Sequence, residues 1–171
     1  MSNTVPDILD PWRMVQARRV FEGTIPVRQL ERLAGLLASP DGEVAYRVEF
    51  GNDEFDVAFA DLHVEAGLSL VCQRTMQVFV QAVEIDQKLG LIRRESEEAG
   101  LPEGYEALLI SDGQLRLMDV IEDELMLALP LVALSPGAPL EEFPLGAGSA
   151  PDSEQPSNPF AVLGQLKNTK H

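Results

Sequence analysis

The residue types that most often bind metals or act as nucleophiles are few in this chain. The sequence has one cysteine, Cys72, and two histidines, His63 and His171. A structural zinc site usually needs four cysteine or histidine ligands. His63 and Cys72 have opposite parity in one alternating segment, so we expect them to point to opposite faces of a strand. We therefore predict no metal and no cofactor, with Cys72 as a small buried side chain.

Sequence motifs for other catalytic chemistry are also missing. The chain has no Gly-x-Ser-x-Gly elbow and no glycine-rich phosphate loop. Its many carboxylates could build a metal-dependent hydrolase, but nothing in the sequence fixes their relative geometry. We expect no catalytic residues and a protein that is not an enzyme, and an acid-rich hydrolase is the less favoured alternative.

Acidic residues dominate the charge of the chain. There are 28 Asp and Glu residues against 13 Lys and Arg residues, which gives a net charge of −15. Such a field repels phosphate backbones and favours basic partners. Ten of the acids lie within residues 95–124, where Arg116 is the one basic residue. We predict that Glu122, Asp123 and Glu124 help to bind a basic partner, and a solvated helix face is the plainer interpretation.

Basic residues are slightly in excess near the N-terminus. Residues 1–35 contain five arginines against four acids. Together with Arg74, this stretch could form a local basic face that touches RNA. Arg18, Arg19 and Arg74 are the candidates for such contacts, although they fall short of a typical RNA-binding cluster.

The supporting elements follow from the pattern of apolar residues. Val44 to Phe50 alternate with charged residues, as expected for a half-buried strand. Further alternation from Phe55 to Val80 predicts an antiparallel meander, which could curl towards a barrel. The parity of the apolar positions changes near Ala60 and Asp61, where we predict a bulge or a strand break.

Two helices are predicted to pack against this meander. Pro26 would open the first, over residues 26–38, because proline suits the first helical position. The second covers residues 118–129 and carries its acids on the outer side. The predicted fold class is therefore α+β.

The chain divides by composition into three parts. We predict a single α+β domain over residues 1–134, a linker rich in proline and glycine over residues 135–157, and a short helical motif over residues 158–171. The start of the chain has no secretory signal pattern, and the longest apolar run is too short to cross a bilayer. We therefore expect a cytoplasmic protein with no membrane partner.

The C-terminal motif has helix-start chemistry. Asn158 suits an N-cap and Pro159 suits the first helical position. Phe160 and Leu163 need apolar contacts, because so short a helix is unstable alone in water. They either dock on the chain's own domain or bind a partner as a tethered ligand, and the sequence leaves both possibilities open.

Three stretches of the chain, residues 70–79, 120–130 and 158–167, together resemble the bacterial YceD family of large ribosomal RNA subunit accumulation proteins. The resemblance implies a cytoplasmic, non-enzymatic role in the synthesis, processing or accumulation of large-subunit ribosomal RNA. Many members have a Cys-x-x-Cys pair in the first stretch and a histidine and a cysteine further on, which suggests zinc. Here Thr75 replaces the second cysteine, and residues 134–140 contain neither ligand. We therefore carry no metal over.

Charge and resemblance together favour one mode of action. We expect an acidic adaptor that binds a basic ribosomal or rRNA-processing protein, with ribosomal RNA present in the same complex. Direct RNA binding through the arginines is the alternative.

Overall fold

A five-stranded sheet in the order β1-β2-β3-β4-β5 organises the structure, a computed structural model that describes residues 8–137. The first four strands form an antiparallel meander, and the last pairs with β4 in parallel. The predicted α+β class is confirmed, whereas the sheet does not close into a barrel. The strands are β1 (Val20–Pro26), β2 (Glu43–Asn52), β3 (Ala58–Val71), β4 (Val78–Ile92) and β5 (Glu106–Leu109).

Three α-helices and two 3₁₀ segments accompany the sheet in the described part of the chain. The α-helices are α1 (Pro11–Gln16), α2 (Glu31–Ala34) and α3 (Leu117–Ala128), and the 3₁₀ segments are Val27–Gln29 and Glu95–Gly100. The predicted second helix is confirmed to within one residue at each end. The sequence did not predict α1, which begins after Asp10, whose side chain accepts hydrogen bonds from the first turn. Within residues 8–137, every helix is too short or too polar to cross a lipid bilayer.

The predicted helix over residues 26–38 is wrong in its extent. Pro26 is the last residue of β1, and Leu30 adopts φ −94° and ψ 80°, which separates the 3₁₀ segment from the four-residue helix α2. Three apolar residues of this segment, Val27, Leu30 and Leu33, are nevertheless buried, and each exposes 2% of its surface or less. These side chains are therefore buried although the helical backbone is interrupted at Leu30.

The bulge predicted near Ala60 and Asp61 is absent. The pairing of β3 with β2 and with β4 is continuous, and the even-numbered residues of β3 face the core. The change of parity arises because Phe55 lies in the turn between β2 and β3 and not in a strand. Its surface is 71% exposed. Asp53 holds that turn by accepting hydrogen bonds from the backbone N–H groups of Phe55 and Val57.

One face of the sheet is covered by the helical segments, and the hydrophobic core lies between them. The core side chains of β2 and β3 alternate with exposed residues, as the sequence predicted for β2. α3 contributes Ile121 and Leu125, both fully buried. The largest fully buried side chains include Phe50, Leu62, Leu68, Leu117, Ile121 and Leu125.

Candidate partner-binding surface

Glu122 faces the interior of the protein, so the prediction that it lies on the outer side of its helix is wrong. Its carboxylate accepts hydrogen bonds from the backbone N–H groups of Arg32 at 2.7 Å and Leu33 at 3.1 Å. Because these are the second and third residues of α2, Glu122 caps that helix from α3. Burial raises the pKa of Glu122, but the hydrogen bonds from Leu33 and Arg32 outweigh burial and hold it below its usual value.

The other two acids of the predicted binding group have different surroundings. Asp123 is exposed and accepts a hydrogen bond from the Arg32 guanidinium at 2.6 Å. Glu124 is half-buried, and burial raises its pKa, with smaller contributions from Glu106 and Asp123. The three acids of the predicted binding group therefore do not form one solvent-facing patch.

The three arginines proposed to contact RNA lie at opposite ends of the sheet. Arg18 and Arg19 precede β1, and the Arg19 carbonyl accepts a hydrogen bond from Phe50 at 2.9 Å. Arg74 lies in the turn between β3 and β4. Phe50 pairs with Ala60 of β3. From Ala60 to Val71, where β3 ends, the strand advances by about 35 Å at ~3.3 Å per residue. The structure does not bring these arginines together.

The face of the sheet turned away from the core is strongly charged. Residues paired directly across strands share a face, so the register aligns charged side chains in rows. One row runs Glu22, Arg47, His63 and Asp86 across β1 to β4. We call this surface the acidic sheet face, and its carboxylates are those of Glu22, Glu43, Glu49, Asp61, Glu65, Glu84 and Asp86.

Basic side chains on the acidic sheet face are outnumbered and engaged. Arg47 lies 3.4 Å from Glu22 and 3.6 Å from Glu49. Lys88 lies over the rings of Phe59 at 4.5 Å and Tyr105 at 4.9 Å. Seven carboxylates against the two basic side chains of Arg47 and Lys88 leave this face negative.

Sequence reasoning missed the acidic sheet face because its members are far apart in the chain. Each strand shows only alternate charged residues, which is the ordinary pattern of a half-exposed strand. The register across four strands is needed to see that the charges share one surface. The available signal was the run of charges at every second residue of the predicted strands.

Cys72 is fully buried, as predicted, and it is tied to the chain that follows α3. Its sulfur accepts hydrogen bonds from the backbone N–H of Ser135 at 3.4 Å and from the Ser135 hydroxyl at 3.5 Å. The adjacent Gln73 donates its N–H to the carbonyl of Ala133 at 2.8 Å. Hydrogen bonds from the Ser135 side chain and backbone, and then from Thr75, lower the pKa of the Cys72 thiol to about 6.

We predict that Ser135→Ala raises the pKa of Cys72 from about 6 towards its ordinary value of 9.0. The thiolate absorbance in the ultraviolet measures this, because the chain has a single cysteine. Since the folded-state pKa is lowered, the hydrogen bonds stabilise the fold fully above the ordinary pKa and progressively less as the pH falls through about 6. Ser111→Ala, in an exposed turn, is the control, and an unchanged titration in Ser135→Ala would contradict the assignment.

The remaining predicted binding residues, Asn158, Pro159, Phe160 and Leu163, lie outside the described residues. Of the predicted linker, the structure describes residues 135–137. The binding role of the C-terminal motif therefore stays a prediction.

Fold and surface together define an α+β protein whose mixed sheet is covered by helical segments on one side and carries an acidic face on the other. A family model described as large ribosomal RNA subunit accumulation protein YceD matches residues 60–167. The large ribosomal RNA subunit accumulation protein YceD of Haemophilus influenzae is 30% identical over 168 residues, which cover 95% of this chain and 96% of that protein. The chain belongs to the YceD family, as the resemblance implied. No solved structure matches it.

Proposed function

We propose that this protein supports the accumulation of large-subunit ribosomal RNA in the cytoplasm as a non-enzymatic adaptor. In this role it binds a basic ribosomal or rRNA-processing protein through the acidic sheet face. Membership of the YceD family supports the ribosomal part of the proposal. The observation that carries the adaptor part is the row of carboxylates that the sheet register aligns on one surface.

The acidic sheet face suits a basic partner better than the α3 acids do. Glu122 and Asp123 are already engaged by Arg32, so binding a partner there would compete with an existing ion pair. On the sheet, the contact of Arg47 with Glu49 is longer, at 3.6 Å, and Asp61, which lies directly opposite Glu49, has an exposed side chain. Paired like charges repel each other, so a partner that supplies lysine or arginine between them relieves that repulsion.

The charge of the whole molecule supports the same choice. At −15 the protein repels phosphate backbones at long range. The candidate RNA-contacting arginines are spread over opposite ends of the sheet rather than assembled into one positive patch. A basic protein is therefore the favoured partner, and ribosomal RNA enters the complex through it.

The test is binding of the 171-residue chain to ribosomal proteins from a salt-washed, RNase-treated ribosome extract. We expect binding to persist after RNase treatment and to weaken as salt rises, because exposed charges are screened over about 8 Å at physiological ionic strength. The double variant Glu49→Gln, Asp61→Asn should weaken binding roughly three- to tenfold, since each exposed pair contributes about 0.2–1 kcal/mol.

The double variant Glu95→Gln, Glu98→Gln is the matched control, because it removes two exposed acids from the 3₁₀ segment and spares the sheet. We expect it to bind like the unmodified protein. If only this control variant lost binding, the partner would bind to residues 95–124 instead of to the acidic sheet face. Loss of all association after RNase treatment, or tight binding of naked ribosomal RNA at physiological salt, would contradict the adaptor proposal.

A further inference from the structure

Three potential metal ligands converge on the acidic sheet face. One side-chain ligand atom each from His63, Glu65 and Glu84 lies within 4.8 Å of the others. His63 and Glu65 come from β3 and Glu84 from β4, so two paired strands hold all three. Side chains on paired strands of a sheet are positioned more firmly than side chains on a loop.

Asp86 orients the imidazole of His63. It lies across the strand pair from His63, and its carboxylate is 2.6 Å from Nδ1. That contact assigns the Nδ1 proton to the bond with Asp86 and directs Nε2 towards Glu65, whose Oε1 lies 3.3 Å away. Histidines that bind metals almost always donate their other ring N–H to a carboxylate or carbonyl in this way.

The sheet register places two like charges together at the same point. Glu65 lies directly opposite Glu84, an arrangement that destabilises a strand pair. Of the basic side chains of this face, Arg47 contacts Glu22 and Glu49 and Lys88 lies over aromatic rings, which leaves His63 as the group beside the pair. A bound cation would neutralise the pair.

We propose that His63, Glu65 and Glu84 bind a divalent transition-metal ion of the zinc class, with Asp86 as the residue that positions the imidazole. Ligand atoms around tetrahedral zinc are separated by about 3.3–3.4 Å, given bonds of ~2.0–2.1 Å. The 3.3 Å separation of Nε2 and Glu65 Oε1 already matches this spacing. Three protein ligands leave one position for water, and binding releases to solvent any proton carried on Nε2.

The test is a titration of the untagged 171-residue chain with zinc, followed by calorimetry. We expect one zinc ion per chain, with affinity reduced at least about tenfold in His63→Ala and about ten- to a hundredfold in Asp86→Asn. Zinc should raise the unfolding midpoint of the unmodified protein. Without zinc, Glu84→Gln should raise that midpoint by about 1–3 °C, because it removes the like-charge pair.

Two control variants locate the ion. Glu54→Gln removes an exposed acid in the β2–β3 turn and should leave zinc affinity within about twofold of the unmodified protein. Cys72→Ser should do the same, because Cys72 is not a ligand in this proposal. Unchanged affinity in His63→Ala, absence of zinc binding, or loss of binding in Cys72→Ser would each overturn the proposal. Glu84 and Asp86 also belong to the acidic sheet face, so these variants are judged on zinc affinity, which the partner-binding test does not measure.

Discussion

Replacing Glu122 with alanine is expected to lower the free energy of unfolding by about 2–4 kcal/mol. The side chain of Glu122 is 8% exposed, and its carboxylate satisfies two backbone N–H groups of α2 as well as the Arg32 guanidinium at 2.7 Å. Alanine removes all three hydrogen bonds and leaves buried donors without partners. Thermal unfolding should show a midpoint lower by roughly 6–15 °C.

The neighbouring acid provides the matched control for this prediction. Asp123 also pairs with Arg32, but its side chain is 56% exposed. Exposed pairs contribute about 0–1 kcal/mol, so Asp123→Ala should shift the unfolding midpoint little. Equal losses in the two variants would show that the ion pair, rather than the capping of α2, carries the stability.

The capping interaction also predicts a dependence on pH. Hydrogen bonds hold the folded-state pKa of Glu122 below its ordinary value of 4.5. The stabilisation is therefore present above about pH 4.5 and is lost as the pH falls through the lower folded-state pKa. The difference in unfolding free energy between the unmodified protein and Glu122→Gln should shrink over that range, whereas a constant difference would contradict the carboxylate's role.

Patterns within short stretches of the sequence correctly predicted β2 and α3. The alternation in β2 and the apolar spacing of α3 each report burial of one face, and both elements form where the sequence placed them. The segment after Pro26 was mispredicted because its backbone N–H groups are capped by Glu122, which is 90 residues away from Arg32 in the chain. A capping partner at that distance leaves no signal in the local sequence.

The candidate surface was harder to predict than the fold, for the same physical reason. The α3 acids are adjacent in sequence and suggested a patch, but successive helical residues point in different directions and Glu122 turns inward. The acids of the sheet are scattered in sequence and meet only through strand pairing, as Glu65 and Glu84 do. Surface chemistry on a sheet is a property of register, which single-strand patterns do not contain.

Phe50→Ala is expected to lower the free energy of unfolding by about 3–5 kcal/mol. Phe50 exposes 1% of its surface, and its ring meets that of Phe21 edge to face, with centroids 6.2 Å apart and an interplanar angle of 87°. Truncation removes that contact and leaves a cavity beneath β1 and β2 that a rigid sheet cannot fill. Denaturant unfolding monitored by circular dichroism measures the loss.

Phe55→Ala is the decisive comparison, because it makes the same substitution five residues further along the chain. The sequence pattern places both phenylalanines on the apolar side of their strands, yet Phe55 is 71% exposed in the turn that Asp53 holds. We expect its truncation to change the unfolding free energy by no more than about 0.5 kcal/mol. If Phe55→Ala instead destabilised the protein as much as Phe50→Ala, the continuous register of β3 would be wrong and the predicted bulge would be restored.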